Sequence, residues 1–212
     1  MPRNRPDRTR DDKTAELVSI AQKLFLEHGY EGTTIAAIAR EAGVATNVVH
    51  WYFATKDELF VAVLEALQAK DLAEATQRLS RSAPGRAEEA LAAILTDFVW
   101  RRLDRYGLLA TLHERSHHSP VVAAFHERAH RRYADYLRRA IDRFSLPVAD
   151  RKLVVESLIV AVEGLVMHRA SKREARRMMT FLANRLVAAR QGTGQPARNR
   201  PMHLLPLAAA NV

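Results

Sequence analysis

Apolar residues recur every three or four positions along most of the chain, which is the spacing of one helix face. The first such stripe begins near Asp12 and ends before Gly29, a residue without Cβ that suits the left-handed end of a helix. Its apolar members are Leu17, Ile20, Ala21, Leu24 and Phe25. No segment alternates apolar and polar residues as a half-exposed strand does, so the pattern predicts an all-α fold.

The stretch from Thr33 to Lys56 predicts two short helices joined by a tight turn. Thr33 or Thr34 is expected to cap the first helix, Gly43 to end it, and Thr46 to cap the second. The second helix carries side chains that are too polar and too aromatic for an ordinary solvated face: Asn47, His50, Trp51 and Tyr52. A helix, a turn containing glycine and a second helix with exposed hydrogen-bonding side chains are typical of a DNA-binding helix-turn-helix.

A longer helix follows this motif. Thr55 and Glu58 have the spacing of a capping box, and the apolar stripe after them continues to about Ser80. This helix is too long for a small N-terminal bundle alone, so it should lead into a second domain, and the clearest break lies at 82–85. Beyond the break, apolar stripes predict five further helices, over about 88–104, 107–114, 120–144, 149–168 and 171–190.

These elements divide the chain into four parts. We expect a flexible basic arm over 1–12, a helix-turn-helix DNA-binding domain over 13–58, a ligand-binding and dimerisation domain over 59–190, and a disordered tail over 191–212. The arm is rich in arginine, so it is either only disordered or able to enter a minor groove beside a reading helix.

Composition narrows the classes of function. The 212 residues carry a formal net charge of +9, which favours a polyanionic partner, and 48% are hydrophobic, which excludes wholesale disorder. The chain has no cysteine, which excludes disulfides, thiolate nucleophiles and Cys-ligated zinc. The N-terminus lacks the apolar core of a signal peptide, and the most apolar run, over 153–167, contains Glu156 and Glu163 and is short for a membrane span. These features predict a soluble, cytoplasmic protein with no membrane partner.

The order of the helices, together with the segment EHGYEGTTIAAIAREAGVATNVVHWYFATKDEL, resembles the TetR family of bacterial one-component transcriptional regulators. The resemblance runs from about Ala15 to Leu67, and the rest of the chain matches only in the number and length of its helices. It implies an all-α, two-domain chain of about nine helices that forms a homodimer through its last two helices. It also implies a double-stranded DNA operator as partner, repression as activity, and release by a small-molecule effector bound in the C-terminal domain.

The resemblance also assigns roles within the motif. It implies phosphate contacts from Thr33 or Thr34, Tyr52 and Lys56, and base contacts from Thr46, Asn47 and His50. Trp51 is expected either to pack as a wedge between helices or to lie partly exposed against a sugar. Thr46, Asn47 and Val48 depart from the residues common in the family, so the operator sequence cannot be transferred.

The helix predicted over 149–168 is apolar around too much of its circumference for one-sided packing, which indicates a dimer interface shared with the last helix. The residues expected to pair across a two-fold axis are Val154, Leu158, Val162, Leu165, Met178, Phe181, Leu182 and Leu186. Two-fold pairing would present two reading helices to a pseudo-palindromic operator. The alternative is that this helix lies fully in the core of one chain.

A ligand pocket is expected among the middle helices. Its walls would be Leu95, Phe98, Leu109, Leu112, Phe125, Tyr133, Tyr136 and Leu158, with Trp100 and Arg101 at the rim. The simpler interpretation is that each of these residues is only part of the core. The sequence does not identify the effector.

A run of arginines follows in the predicted helix over 120–144: Arg128, Arg131, Arg132, Arg138 and Arg139. Acidic residues lie among them, so a salt-bridged, solvated surface is favoured over a second nucleic-acid patch. The run also keeps open an anionic effector such as an acyl-coenzyme A.

Five histidines lie close together in the sequence: His113, His117, His118, His126 and His130. Pairs at i, i+4 could hold a zinc, copper or nickel ion, but no cysteine and no clear carboxylate accompanies them. A pH-sensitive or solvated cluster is therefore favoured, and we expect no metal and no cofactor.

Two other classes of function fit the sequence less well. An interaction bundle without DNA binding would not need to expose together the four residues Asn47, His50, Tyr52 and Lys56. A helical enzyme would need a constellation such as a Glu-x-x-His pair at convincing positions, which the sequence does not show.

Overall fold

The structure, a computed structural model, contains nine α-helices and no strand within the residues that it describes, 10–81, 87–142 and 148–191. Side chains are described over the same ranges except 87–88, 148–150 and 186–191. The helices are α1 (Arg10–His28), α2 (Ile35–Glu41), α3 (Thr46–Tyr52), α4 (Lys56–Arg81), α5 (Ala87–Asp104), α6 (Tyr106–Ser116), α7 (Pro120–Asp142), α8 (Val148–Met167) and α9 (Lys172–Gln191). The all-α prediction is confirmed.

Local sequence sets the ends of the first two helices. Gly29 and Gly43 adopt positive φ angles of 71° and 63°, the left-handed conformation that ends α1 and α2 without strain. Thr34 caps α2, because its Oγ1 accepts a hydrogen bond from the Ala37 amide at 3.1 Å.

The starts of α3 and α4 differ from each other. The predicted cap at Thr46 is wrong, because Ala45 is the N-cap of α3 and makes no side-chain hydrogen bond. At α4, the Thr55 hydroxyl accepts from the Glu58 amide at 3.1 Å, and the Glu58 carboxylate accepts from the Ala54 amide at 2.8 Å. Thr55 thus caps the helix as predicted, whereas the Glu58 carboxylate binds the amide one residue before the N-cap, a variant of the predicted capping box that fixes the start of a helix of 26 residues.

α1 begins at Arg10, inside the predicted flexible arm over 1–12. Asp11 and Asp12 lie in its first turn, where negative charge interacts favourably with the helix dipole, and this explains the earlier start. The rest of the predicted arm lies outside the described residues. So does the predicted tail over 191–212, apart from Gln191, which ends α9.

Helices α1 to α4 enclose the first hydrophobic core. Its most buried large side chains are Leu17, Phe25, Ile38, Leu59 and Phe60. The same cluster continues through Leu108 and Leu112 of α6 and Phe125 of α7. The core thus crosses the predicted domain boundary at 58–59, and α4, α6 and α7 join the two halves of the chain.

Helices α5, α7, α8 and α9 enclose the second core. Leu158, Val162 and Leu165 of α8 lie in this core, with Leu158 only 2% exposed, instead of on a dimer surface as predicted. Apolarity alone cannot distinguish a core face from an interface face. The most apolar face of α8 packs against α5 and α7 of its own chain.

A second apolar face of α8 points outward. Leu153, Val160 and Met167 recur on it every seven residues, and Val160 is 67% exposed. On α9, the predicted interface residues Met178 and Phe181 are exposed as well, Phe181 by 56%. These five side chains form the outward apolar face of α8 and α9.

The other residues predicted for the interface lie elsewhere. Val154 on α8 and Leu182 on α9 are half-buried against the second core. The side chain of Leu186 lies outside those that the structure describes.

Among the helices of the described ranges, none combines the length and the apolarity that crossing a lipid bilayer would require.

Candidate DNA-binding surface and ligand cavity

One side of α3 anchors the helix and the other presents polar groups. Val49 is fully buried in the first core, whereas Thr46, Asn47 and His50 are exposed. Hydroxyl and amide groups such as those of Thr46 and Asn47 are the groups that read base edges in a major groove. Tyr52, at the end of α3, is half-buried.

Trp51 is 64% exposed on α3, which decides between the two expectations for this residue in favour of exposure. Its ring meets the Tyr52 ring edge-on, with 4.7 Å between the centroids. The Arg10 guanidinium lies 4.8 Å from the Trp51 ring centroid. A large aromatic surface with a neighbouring cation therefore lies beside the polar side chains of α3.

Thr33 does not have the predicted access to phosphate. Its side chain is buried, with the residue only 1% exposed, and its hydroxyl is directed to the carbonyl oxygens of Gly29 at 2.8 Å and Leu24 at 3.1 Å. Thr33 therefore ties the start of α2 to the end of α1. Of the two threonines, only Thr34 is exposed at the N-terminus of α2, where the helix dipole favours an anion.

Lys56 stabilises the turn that leads from α1 into α2. Its Nζ donates to the carbonyl oxygens of Tyr30 at 3.0 Å and Thr33 at 3.3 Å, and it lies 3.9 Å from the Tyr30 ring centroid. The ammonium group thus holds the turn between α1 and α2, a role the sequence did not reveal. An ammonium has three donors, so one N–H remains beyond these two bonds.

A partly buried ion pair joins this region to α6. The Arg115 guanidinium donates to both carboxylate oxygens of Asp57, at 2.6 and 2.7 Å, and the Tyr30 hydroxyl donates to the same carboxylate. Arg115 also lies 4.8 Å from the Tyr30 ring centroid. We call these three residues the α4–α6 link. The sequence does not reveal this link, because Asp57 is recognisable there only as a residue between Thr55 and Glu58 of the capping box.

The link has a clear electrostatic signature. Burial of the Asp57 carboxyl group opposes its ionisation, but hydrogen bonds from Arg115, Tyr30 and Ser119 outweigh burial and lower its pKa to about 2. Burial and the hydrogen bond to Asp57 raise the pKa of Tyr30. Asp57 is therefore ionised and Tyr30 is neutral at any ordinary pH.

A cavity of about 80 Å³ lies between α4, α6, α7 and α8, next to α5. Leu109, Leu112, Phe125 and Tyr133 line it, as the sequence predicted. Its apolar wall also includes Leu64, Leu67, Leu108 and Val166. A neighbouring cavity of about 20 Å³ is lined by the predicted residues Leu95 and Phe98.

Four of the residues predicted for the pocket lie outside both cavities. Tyr136 and Leu158 are buried in the second core, so they are core residues as the simpler interpretation held. Trp100 lines a separate surface groove with residues of α9. Arg101 is ion-paired with Asp71, Glu74 and Asp97, away from the cavity.

The polar side of the 80 Å³ cavity is a histidine cluster. His126 and His130 approach each other with 3.2 Å between their Nε2 atoms, and the His113 ring lies 4.9 Å from the His126 ring. The His130 Nε2 lies 3.2 Å from a carboxylate oxygen of Glu163 on α8. Glu163 lies on a different helix from the histidines, so the sequence did not identify it as their carboxylate partner.

Burial makes two of these histidines poor bases. Burial, followed by repulsion from His130, His113 and Arg102, lowers the pKa of His126 to about 4, and burial also lowers the pKa of His113. His117 and His118 are exposed at the end of α6, outside the cluster. Within the described part of the chain, no three His, Asp or Glu side chains are arranged to hold a metal ion.

The arginines of α7 have partners on the surface. Arg128 pairs with Glu65 at 3.2 Å, Arg131 pairs with Glu127 at 3.6 Å, and Arg138 pairs with Asp135. Arg132 donates to the Gln68 side chain at 3.4 Å. A salt-bridged surface, the favoured interpretation of this run, describes Arg128, Arg131 and Arg138, whereas Arg132 is hydrogen-bonded to a neutral side chain.

Comparison with known proteins shows a family to which the N-terminal part of this chain is similar. The family model described as "Bacterial regulatory proteins, tetR family" matches residues 17–63, which include the helix-turn-helix. The chain is 34% identical over 114 residues to the HTH-type transcriptional repressor NicS of Pseudomonas putida, an alignment that covers 52% of each chain. The chain thus spans about half the length of this curated relative.

Solved structures share the whole fold. A TetR transcription regulator from Haloarcula marismortui superposes with a TM-score of 0.68 at 21% identity, over 84% of this chain and 98% of that one. The transcriptional regulator FadR from Bacillus subtilis, in complex with stearoyl-CoA, gives a TM-score of 0.63 at 15% identity, over 82% and 97%. At such identities the likeness shows the fold alone. Over residues 17–63, which include the helix-turn-helix, the chain is thus similar to the tetR family of bacterial regulatory proteins, and its fold is that of solved TetR-type regulators.

Proposed function

We propose that this chain is a sequence-specific DNA-binding transcriptional regulator whose affinity for DNA is controlled by a small molecule. One observation carries the proposal: α6 connects the cavity to the DNA-binding half. Leu112 and His113 line the cavity, and two residues later Arg115 holds the start of α4 through Asp57. NicS is named a transcriptional repressor, and FadR was crystallised with a small molecule bound, which supports both halves of the proposal.

In this proposal, phosphate contacts position α3 in a major groove and base contacts provide specificity. Thr34 and Tyr52 donate to phosphates, as does the remaining N–H of Lys56. Asn47 is suited to adenine, because an amide offers a donor and an acceptor together. The net charge of +9 supports DNA binding in general.

We further propose that the active form is a homodimer that pairs through the outward apolar face of α8 and α9. Leu153, Val160 and Phe181 would each expose a large apolar side chain to water in a monomer, and exposed apolar surface of this kind supports an interface on this face. Two-fold pairing of two helices from each chain makes a four-helix interface. It would present two α3 helices to a pseudo-palindromic operator.

The proposed activity is repression that a bound effector relieves. A ligand that widens the cavity would displace α6 at Leu112 and His113, and Arg115 would pull on Asp57 at the start of α4. Because α4 follows α3 directly, this would change the position of the reading helix. The repressor name of NicS supports this direction of control.

Binding to DNA from the region upstream of the coding sequence tests the proposal. Fluorescence anisotropy of a labelled duplex should show specific binding that weakens steeply with salt, as phosphate contacts require. In a Trp100→Phe variant, Trp51 is the one remaining tryptophan, and its exposed indole should change emission when the duplex binds. Sequence-indifferent binding, or no binding, would favour the alternative of an interaction bundle without DNA recognition.

A further inference from the structure

We propose that the cavity binds a small monocarboxylate with an apolar body, and that Arg102 is the residue that recognises the carboxylate. This inference rests on the proposal that the cavity is the effector site, and it adds the chemical class of the effector. It follows from the way in which charge is distributed among three neighbouring arginines of α5 and the loop that follows it.

Two of these three arginines are already neutralised. Arg101 is held by Asp71, Glu74 and Asp97, and Arg105 donates to Asp71 at 2.9 Å. In the part of the chain that the structure describes, Arg102 has no carboxylate within ion-pairing distance. Its guanidinium lies 4.4 Å from the Tyr133 ring centroid, and the residue is half-buried.

Arg102 also lies where the two cavities meet. Together with His130, Tyr133 and Glu163 it lines both the 80 Å³ cavity and the 20 Å³ cavity, so these four side chains form a partition between them. Stacking on Tyr133 holds the planar guanidinium while leaving its N–H groups available, and this geometry suits a planar carboxylate.

The other polar groups of the cavity select against cationic and strongly anionic ligands. Glu163 is the acidic residue among the lining side chains, and it is occupied by His130. His113 and His126 have lowered pKa values, so they present neutral imidazoles that can donate a hydrogen bond without adding charge. Of the two arginines that line the cavity, Arg105 is paired with Asp71 and Arg102 is not ion-paired among the described residues, so one guanidinium is available, which matches a single carboxylate better than a polyphosphate.

The apolar wall defines the rest of the ligand. Leu64, Leu67, Leu109, Leu112 and Phe125 line the same cavity as the polar groups. A ring or short alkyl chain would bury its surface there, while its carboxylate reaches Arg102 at the partition. Arg128, Arg131 and Arg138 of α7 are ion-paired on the surface, and no arginine of α7 is among the described residues that line either cavity, so these arginines do not supply charge to the site.

The test compares matched acids and amides on the full-length protein. Calorimetric titration with benzoate, 3-phenylpropionate and octanoate should show binding at least 10-fold tighter than the corresponding amides. This is the order expected when hydrogen bonds to a charged group are lost. Arg102→Met should reduce the affinity for the acids about 10-fold to 100-fold, to the level of the amides. Arg131→Met removes the same charge from an exposed position on α7 and should leave both affinities unchanged.

Three results would overturn the inference: amides that bind as well as the acids, acids whose affinity survives Arg102→Met, or no binding by any of the three acids. If Arg102→Met fails to fold, Arg102→Lys keeps the charge without the planar fork and should still weaken acid binding. DNA binding is measured separately. Acids that bind without releasing DNA would count against the proposed function alone, whereas a DNA-binding protein that ignores all three acids would count against the carboxylate alone.

Discussion

The α4–α6 link allows a quantitative prediction for Asp57→Asn. The carboxyl group has a pKa of about 2 in the folded chain, against an ordinary value of 3.8, and its side chain is 14% exposed. Each pKa unit corresponds to about 1.4 kcal/mol, so ionised Asp57 stabilises the fold by about 2 kcal/mol at neutral pH. The variant should lower the free energy of unfolding by roughly that amount, because asparagine carries no charge to pair with Arg115.

The stabilisation by Asp57 should depend on pH and should decrease in acid. A carboxyl group whose pKa is lower in the folded chain binds fewer protons there than in the unfolded chain. Its stabilisation is therefore complete above about pH 4 and is lost as the pH falls from about 4 towards about 2. The native protein and Asp57→Asn should differ most near neutral pH, and the two should approach each other in acid.

Urea unfolding followed by circular dichroism measures the difference, with the protomer concentration fixed because a dimer gains apparent stability with concentration. Asp135→Asn is the matched control. Asp135 also pairs with an arginine, Arg138, but both side chains are half exposed, so the cost should stay below about 1 kcal/mol. The reasoning would be refuted if Asp57→Asn cost no more than Asp135→Asn, or if its cost remained constant down to about pH 3.

Three further predictions address other parts of the molecule. The Tyr136 hydroxyl is buried without a hydrogen-bond partner among the described residues, so Tyr136→Phe should raise the free energy of unfolding by about 1 kcal/mol in the same urea assay, and a loss would contradict this account. Phe181→Glu places a charge on the outward apolar face of α9, so light scattering should show monomers with native helix content; an unchanged dimer would count against this face as the interface. Asn47→Ala should relax the preference for one operator position, whereas Tyr52→Phe should weaken binding to all duplexes about equally; a uniform loss in both variants would remove the proposed division between base and phosphate contacts.

The sequence predicted features whose cause is local. Gly29 and Gly43 end helices because of their own backbone freedom, and the capping box at Thr55 and Glu58 needs only residues three positions apart. Apolar periodicity likewise located all nine described helices to within a few residues. The cap at Thr46 failed because its neighbour Ala45 occupies that position in the folded chain, which the composition of the turn did not reveal.

Features that depend on two distant segments could not be predicted. Arg115 and Asp57 meet across 58 residues, and Glu163 reaches His130 from another helix, so no spacing rule connects them. The prediction that Leu158, Val162 and Leu165 lie on a surface was wrong for a related reason. Leu158 and Val160 are equally apolar, and only the packing of α5 and α7 decides that the first is core and the second is exposed.

The free energy that the α4–α6 link contributes is large enough for the link to carry regulation. A ligand can shift DNA affinity only by the difference in its affinity for the two states of the protein. Leu112 and Arg115 are separated by three residues, or about 4.5 Å of helix, so a ligand that moves one must move the other or deform α6. Losing the roughly 2 kcal/mol held at Asp57 corresponds to about a 30-fold change in an equilibrium constant. That lies within the 1–3 kcal/mol typical of allosteric coupling, so this ion pair alone is strong enough to connect a cavity among α4, α6 and α7 to the helix that precedes α4.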